Sequence, residues 1–229
     1  MVISGLSKLT ILDFPGVVSC MIFTEGCNFK CPWCHNGGVV KGKWENLPEI
    51  EILEFLKKRK GVLDGLVISG GEPLIQQNLI QFMVKVKELG YKIKLDTNGF
   101  FTSKLKEIIE LGLVDYVAMD IKSSPKNYAK VIGLDSFNAD NIIKSIDLLE
   151  SSGVAHEFRT TCIKGLITSD TIEEIAKMIP NAEHYFLQNF KDSGDLLSGG
   201  AFESFSNSEM NELLCIAQKY NGNTALRGV

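Results

Sequence analysis

The sequence feature that most constrains the fold is a repeated alternation of short β-rich runs with amphipathic stretches of helical spacing. In those stretches, apolar residues recur three and four positions apart, as in Leu79, Phe82, Met83 and Val86. Such an alternation predicts a parallel sheet whose strands are joined by right-handed crossovers. The predicted strands are Val17–Thr24, Gly65–Ser69, Lys92–Asp96, Tyr116–Asp120, Ala155–Thr161 and His184–Gln188.

The number of predicted strands limits the possible architectures. Six βα units are two fewer than a closed eight-stranded barrel contains. We therefore expect an α/β fold, a partial, laterally open (β/α)6 barrel of parallel strands, with a doubly wound open sheet as the alternative. No linker rich in proline, glycine or serine interrupts the chain, which predicts a single domain over residues 1–229. We expect its core over about residues 17–190 and a C-terminal helix and tail over residues 191–229.

Two capping-box patterns predict where helices begin. Asp170 with Glu173 is one, and Ser206 with Glu209 is the other. After Ser206, apolar residues at helical spacing predict a helix with one face toward the core. These apolar residues are Met210, Leu213, Leu214 and Ala217.

The charge balance and the hydropathy pattern exclude two classes of partner. The chain carries 24 Lys and Arg against 28 Asp and Glu, and its net charge of −4 provides no basic field for nucleic acid. The longest apolar stretch, residues 17–23, is far shorter than the roughly 20 residues of a membrane span. The N-terminus lacks the basic and apolar regions of a signal peptide. We therefore expect a cytoplasmic protein that binds neither nucleic acid nor a membrane.

Polar residues and glycines follow the predicted strand ends. Gly70-Gly-Glu-Pro73 follows the second strand, Thr97-Asn-Gly99 the third, and Lys122 the fourth. In parallel βα folds, ligands bind at the carboxyl ends of the strands. The sequence therefore predicts one site assembled from several loops.

The cysteine cluster is the second strong feature. Cys27, Cys31 and Cys34 lie within eight residues, which in a reducing compartment indicates metal or redox chemistry. Zinc, with His35 or a distant cysteine as fourth ligand, is one candidate, although no second ligand pair appears. The C-x-x-C-H sequence also matches c-type haem attachment, but it leaves Cys27 unexplained and no export signal is visible. The third candidate is an iron–sulfur cluster on three thiolates, which leaves one iron open.

The C-x-x-x-C-x-x-C spacing resembles the cysteine motif of the radical S-adenosylmethionine (SAM) superfamily. Gly70-Gly-Glu-Pro73 resembles the superfamily's G-G-E-P motif, which binds the amino group of the SAM methionine. The resemblance is physically reasonable, because glycines let the backbone approach a ligand and a carboxylate complements an ammonium group.

Further segments resemble the branch of this superfamily that activates glycyl-radical enzymes. They are Asp13-Phe-Pro-Gly16, Cys34-His-Asn36, Asp96-Thr-Asn-Gly99 and Asp120-Ile-Lys122. Residues 5–13 and 187–190 are most similar to the activating proteins of anaerobic ribonucleoside-triphosphate reductases. The resemblance implies a radical SAM oxidoreductase whose partner is a glycyl-radical enzyme, with that reductase expected ahead of a pyruvate formate-lyase. A flavodoxin or ferredoxin-type protein is expected as the electron donor.

The resemblance also implies roles for individual residues. Cys27, Cys31 and Cys34 each bind one iron of a single 4Fe–4S cluster, and the fourth iron binds SAM. The cluster then cleaves SAM to methionine and a 5′-deoxyadenosyl radical, which takes a hydrogen from a glycine Cα, so no protein acid or base is expected. The residues expected to bind the cofactor are Gly70, Gly71, Glu72, Pro73, Asp96, Asn98, Asp120, Lys122, Arg159 and Gln188.

Several of these residues have alternatives. Asp96 and Asp120 at neighbouring strand ends would repel each other unless a cation intervenes, so we expect them to share a monovalent cation or to hydrogen-bond the ligand, with Lys122 compensating their charge. Arg159 is a candidate for the SAM carboxylate, or for an ion pair with Glu157 or Asp120. Gln188 lies where pyruvate formate-lyase activators carry a histidine that contacts the SAM ribose.

Expectations also follow for Trp33, for the histidines and for the isolated cysteines. Trp33 covers the adenine or the cluster, or packs the loop. His35 is expected to hydrogen-bond near the cluster, and His156 and His184 to be structural. The isolated cysteines are expected to be small buried hydrophobes. They are Cys20, Cys162 and Cys215.

Two other functions stay open at this point. One is a zinc-stabilised module that uses the open sheet to bind a partner. The other is a radical SAM enzyme that acts on a small molecule. A short chain with little beyond the partial barrel has no segment for a lid over a free ligand, which favours a macromolecular substrate.

Overall fold

A computed structural model describes residues 1–192, 194 and 196–228. Its strands are β1 (Ile3–Thr10), β2 (Ser19–Thr24), β3 (Gly65–Gly70), β4 (Lys92–Thr97), β5 (Tyr116–Asp120), β6 (Ala155–Cys162), β7 (Tyr185–Asn189) and β8 (Thr224–Arg227). Its α-helices are α1 (Gly37–Val40), α2 (Glu49–Lys58), α3 (Leu79–Glu88), α4 (Thr102–Glu110), α5 (Tyr128–Ile132), α6 (Asp140–Ser152), α7 (Ser169–Met178) and α8 (Asn207–Gln218). Short 3-10 helices cover Pro73–Ile75 and Pro125–Asn127. Among the described residues, no helix is both long and apolar enough to cross a bilayer.

The strands form one sheet whose order follows the sequence, from β1 at one edge to β8 at the other. β2, β3 and β4 pair in parallel, as do β6, β7 and β8, whereas β1 runs antiparallel to β2. The predicted α/β class, a partial and laterally open barrel with parallel strands, is confirmed. All six predicted strands are present as β2 to β7, with ends that differ from the prediction by at most two residues.

The prediction missed the two edge strands. β1 contains Gly5 and two serines, and its Lys8 and Leu9 are exposed, so it lacks the alternating apolar pattern of a half-buried strand. β8 spans only Thr224–Arg227 and is too short for a periodic signal. Pairing with β2 and with β7, respectively, rather than local preference, makes these segments strands.

The chain divides into two compact units. The first comprises residues 1–28, 38–97 and 103–117. Its buried residues include the apolar residues predicted on one face of α3, and a second apolar cluster beside the strands. The helix contributes Leu79, Phe82, Met83 and Val86, and the cluster consists of Phe14, Met21, Val67 and Tyr116.

The second unit comprises residues 29–37, 98–102 and 118–229. In its part of the sheet, β6, β7 and β8 pair in register, and α7 and α8 present buried apolar faces. Phe29, Phe100, Tyr128 and Phe137 form an aromatic cluster with ring centroids between 5.0 and 6.2 Å apart.

The two predicted capping boxes have different outcomes. Ser206 and Glu209 form a complete capping box at the start of α8, as predicted. The Asp170 prediction is wrong, because Thr168 is the N-cap of α7 and its hydroxyl accepts from the Thr171 N–H at 3.2 Å. Asp170 lies in the first turn, where its charge favours the helix N-terminus without capping it.

Candidate functional site

The cysteine loop, residues 29–37 of the second unit, carries Cys31 and Cys34. The Cys34 N–H donates to the Cys31 carbonyl at 3.0 Å, so a tight turn joins these two cysteines. At the start of the loop, the Lys30 N–H donates to the Ile132 carbonyl at 2.9 Å. Backbone pairing of this kind holds the side chains of a loop in place before a ligand arrives.

Two other segments of the second unit lie against the cysteine loop. Gly133 has a φ of +70°, and a Cβ there would lie 2.4 Å from the Lys30 carbonyl oxygen, so a glycine is required. Leu197 and the residue after it donate backbone N–H groups to the loop, at 3.2 Å to Cys34 and 3.1 Å to Pro32. The loop is therefore fastened at both of its ends.

Trp33 packs the cysteine loop and supports a cation. The indole is buried, and its Nε1–H donates to the Val131 carbonyl at 3.1 Å. The Nζ atom of Lys122 lies 5.2 Å from the centre of the Trp33 ring, close enough for a cation–π interaction. Because Trp33 lies between Cys31 and Cys34 in the sequence, this contact brings the ammonium group of Lys122 to the cysteine turn.

Asp120, at the end of β5, lies between two cations. Its Oδ1 accepts from Arg159 Nε at 2.8 Å, and its Oδ2 accepts from Lys122 Nζ at 2.9 Å. Burial raises the pKa of Asp120, but the two cations hold this pKa well below its usual range. Burial lowers the pKa of Lys122, but Asp120 and the thiols of Cys31 and Cys34 raise this pKa above its usual value. All three side chains are therefore charged at neutral pH.

In the first unit, the G-G-E-P segment lies against the backbone that leads into Cys27. The Gly71 N–H donates to the Thr24 carbonyl and the Glu72 N–H donates to the Gly26 carbonyl, both at 2.9 Å. A Cβ on Gly71 would lie 1.8 Å from the Gly26 carbonyl oxygen, so only glycine fits there. The Cys27 side chain is half-buried, and its thiol lies 3.9 Å from the side-chain oxygen of Asn28.

Glu72 is fully buried. Its Oε1 accepts from the Leu74 N–H at 3.0 Å and from the Thr97 hydroxyl at 2.9 Å. The first bond caps the short 3-10 helix that begins at Pro73. Sequence reasoning did not assign this role to Thr97, although Thr97 belongs to the Asp96-Thr-Asn-Gly99 segment that it singled out.

Asp96, at the end of β4, also has its countercharge within its own unit. It forms an ion pair with Lys94, and its Oδ2 accepts from the Ser69 hydroxyl at 3.0 Å. Lys94 is almost completely buried, and its Nζ lies 6.0 Å from the centre of the Tyr116 ring. Neither Lys94 nor Ser69 was predicted, because neither lies beyond a predicted strand end.

Two other expected site residues lie in the second unit. Asn98 is buried, and its Oδ1 accepts from the Phe100 N–H at 3.1 Å, which forms a local turn. Gln188 is half-buried on β7, in register with Thr161 of β6 and Arg227 of β8.

The isolated cysteines do not all match their prediction. Cys20 and Cys162 are completely buried, and burial raises the pKa of each thiol to about 12. Cys215 is exposed, so the prediction that it is buried is wrong. It lies two residues from both Leu213 and Ala217, which form the buried face of α8, and therefore points away from that face.

The histidines contact aromatic rings. His35 stacks on Phe190 with ring centroids 5.1 Å apart, and burial is the main cause that lowers the pKa of His35. His156 bonds the Val154 carbonyl at 2.9 Å, and His184 stacks on Phe186. The structural role expected of the latter two agrees with these contacts.

The donors present suit a thiolate-bound metal cluster. Among the described residues, none of the three motif cysteines is part of a disulfide, and Lys122 supplies positive charge beside two of them. The Ser123 hydroxyl, next to Lys122, is fully buried and has no hydrogen-bond partner in the described part of the chain, which favours a ligand atom there. Within the described residues, no three His, Cys, Asp or Glu side chains are gathered as a finished metal site, so the ligand set stays a prediction.

Comparison with known proteins identifies the family. The model of the radical SAM superfamily matches residues 21–179, well over half of the chain, which therefore belongs to that superfamily and is a radical SAM enzyme. Within it, the chain belongs to the family of glycyl-radical enzyme activating enzymes. A relative from Methanocaldococcus jannaschii that provisionally carries this name is 34% identical over 242 residues, covering 99% of this chain and 96% of the relative. Membership implies a 4Fe–4S cluster and SAM as cofactors.

Other similar proteins agree with this placement. The pyruvate formate-lyase-activating enzyme of Clostridium pasteurianum is 29% identical over 189 residues, covering 78% of this chain and 76% of the relative. Among solved structures, a radical SAM methyltransferase from Sphaerobacter thermophilus has a TM-score of 0.74 at 16% identity, covering 96% of this chain and 68% of that chain. Streptococcus suis SuiB bound to precursor peptide SuiA has a TM-score of 0.71 at 17% identity, covering 91% and 48%. The two structures bear on the fold alone.

Proposed function

We propose that this chain is a cytoplasmic activase that reductively cleaves SAM and places a radical on a glycine of an anaerobic ribonucleoside-triphosphate reductase. The observation that carries the activase function is the 34% identity to a glycyl-radical enzyme activating enzyme over 99% of the chain. The choice of the reductase rests on residues 5–13 and 187–190, which are most similar to activators of such reductases. A flavodoxin or ferredoxin-type protein is proposed as the electron donor.

The proposed cluster ligands are Cys27, Cys31 and Cys34. When bound, the cluster held by these cysteines would supply, together with SAM, reductive C–S cleavage and removal of a hydrogen atom from a glycine Cα. The cysteine turn with its backbone bonds favours a fixed position for two of the three thiols.

The proposed SAM-binding residues divide by chemistry. Glu72 accepts from the SAM ammonium group, and the backbone of Gly70, Gly71 and Pro73 borders it. Lys122 and Arg159 complement the SAM carboxylate, with Asp120 holding both cations by short ion pairs. Asp96, Asn98 and Gln188 are proposed for hydrogen bonds to the rest of SAM, with Gln188 in place of the ribose-contacting histidine. No side chain is assigned a proton transfer.

The proposal also includes a monovalent cation near Asp96 and Asp120. Lys94 supplies the countercharge to Asp96, and Lys122 with Arg159 supplies it to Asp120. These ion pairs weaken the electrostatic reason for a shared cation, since each carboxylate has a cation of its own.

The decisive experiment is anaerobic. Cluster-loaded protein, a reductant and SAM are mixed with the candidate reductase, and the electron paramagnetic resonance (EPR) spectrum is recorded. A glycyl doublet with the reductase and none with pyruvate formate-lyase is the expected result. The same mixture with the Cys31→Ala variant is the control and should give no doublet.

A pyruvate formate-lyase-type activator is the second candidate, favoured by the relative from Clostridium pasteurianum. A doublet with pyruvate formate-lyase alone would move the assignment to it. SAM cleavage without a radical on either partner would indicate another substrate, including a small molecule. A colourless protein that contains zinc and no iron would instead support the binding module.

A further inference from the structure

A buried carboxylate in the second unit lies outside the predicted site. Glu157 of β6 is only 2% exposed, and Arg227 of β8 binds it with a two-pronged contact of 2.9 Å from Nη1 and 3.1 Å from Nη2. Arg159, two residues further along β6, lies 3.8 Å from the same carboxylate. Parallel two-pronged bonds fix both the distance and the direction of an arginine.

Arg227 reaches Glu157 across the intervening strand. Its guanidinium carbon lies 3.7 Å from the centre of the Phe186 ring, which belongs to β7. Phe186 is in register with Arg159, and the two-residue period of a strand places Glu157 and Arg159 on one face of β6. The Phe186 ring thus supports the arginine that crosses over it.

These contacts continue into the predicted site as a chain of alternating charges. Arg227 binds Glu157, Glu157 lies near Arg159, Arg159 binds Asp120 at 2.8 Å, and Asp120 binds Lys122 at 2.9 Å. The last member lies over Trp33 in the cysteine loop. All of its members belong to the second unit.

Arg159 is the central residue of this series of ion pairs, because it lies between the carboxylates of Glu157 and Asp120. A carboxylate as deeply buried as Glu157 strongly favours a cation beside it. When Arg227 supplies that cation, Arg159 can direct its Nε to Asp120. Without Arg227, Arg159 is drawn toward Glu157. Asp120 then loses one of its two cation partners. The Asp120 carboxylate is held less firmly as a result, and so is the Lys122 ammonium that it binds.

We propose that Arg227 is a positioning residue: by binding Glu157 it leaves Arg159 on Asp120 and thereby fixes the Lys122 ammonium at the cysteine loop, where it tunes the reduction potential of the bound cluster and the affinity for SAM. This inference rests on the proposed function, since it presumes that the cysteine loop binds a cluster. It assigns a role to β8, an edge strand that carries none of the predicted site residues.

The test measures the cluster without turnover. In SAM-free, cluster-loaded protein, an EPR-monitored redox titration gives the reduction potential, and calorimetry gives the affinity for SAM. Arg227→Gln should keep its iron, shift the potential to more negative values because less positive charge surrounds the cluster, and bind SAM roughly tenfold more weakly. Arg227→Lys, which keeps the charge but cannot form the two-pronged contact, should give a smaller shift in the same direction.

Two further variants separate positioning from a general charge effect. Glu157→Gln removes the carboxylate that competes for Arg159, so Arg159 stays on Asp120. The reduction potential and the affinity for SAM should therefore remain near the wild-type values. The same result is expected for the double variant Glu157→Gln/Arg227→Gln, which also lacks this carboxylate. A general charge effect predicts a more positive potential in Glu157→Gln. Lys164→Gln, which removes an exposed cation paired with Glu209 in the same unit, is the matched control and should change neither quantity.

A wild-type potential and SAM affinity in Arg227→Gln would overturn the inference while leaving the proposed function intact. A shifted potential in the double variant equal to that in Arg227→Gln would overturn it as well. If Arg227→Gln does not fold, as judged by thermal unfolding, Arg227→Lys decides in its place. A wild-type protein that takes up no iron would overturn the proposed function and this inference together.

Discussion

At the scale of single residues, the Glu72 carboxylate has two roles, one structural and one proposed for SAM binding. Its Oε1 already accepts from Leu74 and Thr97, so the side chain caps a helix and is also the residue proposed to meet the SAM ammonium group. A cationic ligand is a natural partner for a buried carboxylate, because the ion pair offsets the cost of burying a charge.

Glu72→Gln separates these two roles. Glutamine can still accept from Leu74 and Thr97, but it lacks the charge. A charge-assisted hydrogen bond is worth about 1.5–3 kcal/mol, so SAM affinity measured by calorimetry should fall roughly ten- to a hundredfold while the iron content is retained. Thr97→Val is the matched control, since it removes one neutral bond to the same oxygen and keeps the charge. Equal SAM affinity in Glu72→Gln and wild type would show that the segment is only a turn.

The thiols can be tested one at a time. Cys27→Ala, Cys31→Ala and Cys34→Ala should each abolish the cluster, because each removes one of the three proposed iron ligands. Cys162→Ala, at a buried position, and Cys215→Ala, at an exposed one, should leave it intact. Iron and sulfide analysis of anaerobically purified protein measures the outcome. Full iron content in any of the three motif variants would refute its assignment as a ligand.

The sequence predicts the residue types of the site better than their contacts. Asp120 and Lys122 were singled out from one short segment, and the structure joins them directly. Arg159 forms the ion pair with Asp120 that was one of its two alternatives. Arg227 could not be predicted, because it lies 70 residues from Glu157 along the chain and meets it only through the pairing of three strands.

At the scale of elements, the close approach of the β3 end to the β2 end makes Gly71 the most restrictive position. Gly71→Ala would place a Cβ 1.8 Å from the Gly26 carbonyl oxygen, and neither backbone can move without breaking the two bonds between them. Overpacking of this kind costs about 1–3 kcal/mol, so a lower thermal unfolding temperature is expected. Iron uptake should fall as well, because Gly26 directly precedes Cys27.

The control is Gly222→Ala, where, apart from its chain neighbours, no heavy atom of the described residues lies within 4 Å of the added Cβ. Thermal unfolding and iron analysis should give nearly wild-type values for this variant. If Gly71→Ala matches it in both, the two strand ends are not held together as tightly as the structure indicates.

Local sequence patterns predicted those elements whose stability is also local. The six inner strands and the Ser206 capping box were found because apolar periodicity and capping chemistry act over a few residues. At α7, two polar residues two positions apart compete for the cap, and Thr168, not Asp170, accepts the bond. Sequence spacing alone does not decide such a competition, since the backbone angles of the preceding loop select the cap.

At the scale of the whole molecule, the buried apolar residues, not the metal site, are expected to supply most of the stability. The cysteine loop is fastened by backbone bonds to residues 132 and 197, and the apolar clusters of the two units do not require a metal. Removal of the cluster with an iron chelator should therefore leave the far-ultraviolet circular dichroism spectrum nearly unchanged and unfolding cooperative, with a modestly lower midpoint.

Zinc-dependent modules behave differently, because their metal supplies the folding free energy. Loss of secondary structure on chelation would therefore contradict this expectation and favour the zinc-stabilised module. The single domain over residues 1–229 stays a prediction, and a single calorimetric transition of the loaded protein is the result it expects.

The different burial of the six cysteines has a practical consequence for chemical labelling. Cys20 and Cys162 are fully enclosed, and burial raises the pKa of each to about 12, so a thiol-alkylating reagent should reach them only after unfolding. Cys215 is exposed and should react at once. Between these extremes, Cys27 and Cys34 are partly accessible and should react only when no iron protects them. Mass spectrometry of a briefly alkylated sample counts the alkyl groups on each molecule. The proportion of molecules without label on Cys27 and Cys34 would thus give the fraction of a preparation that carries its cluster.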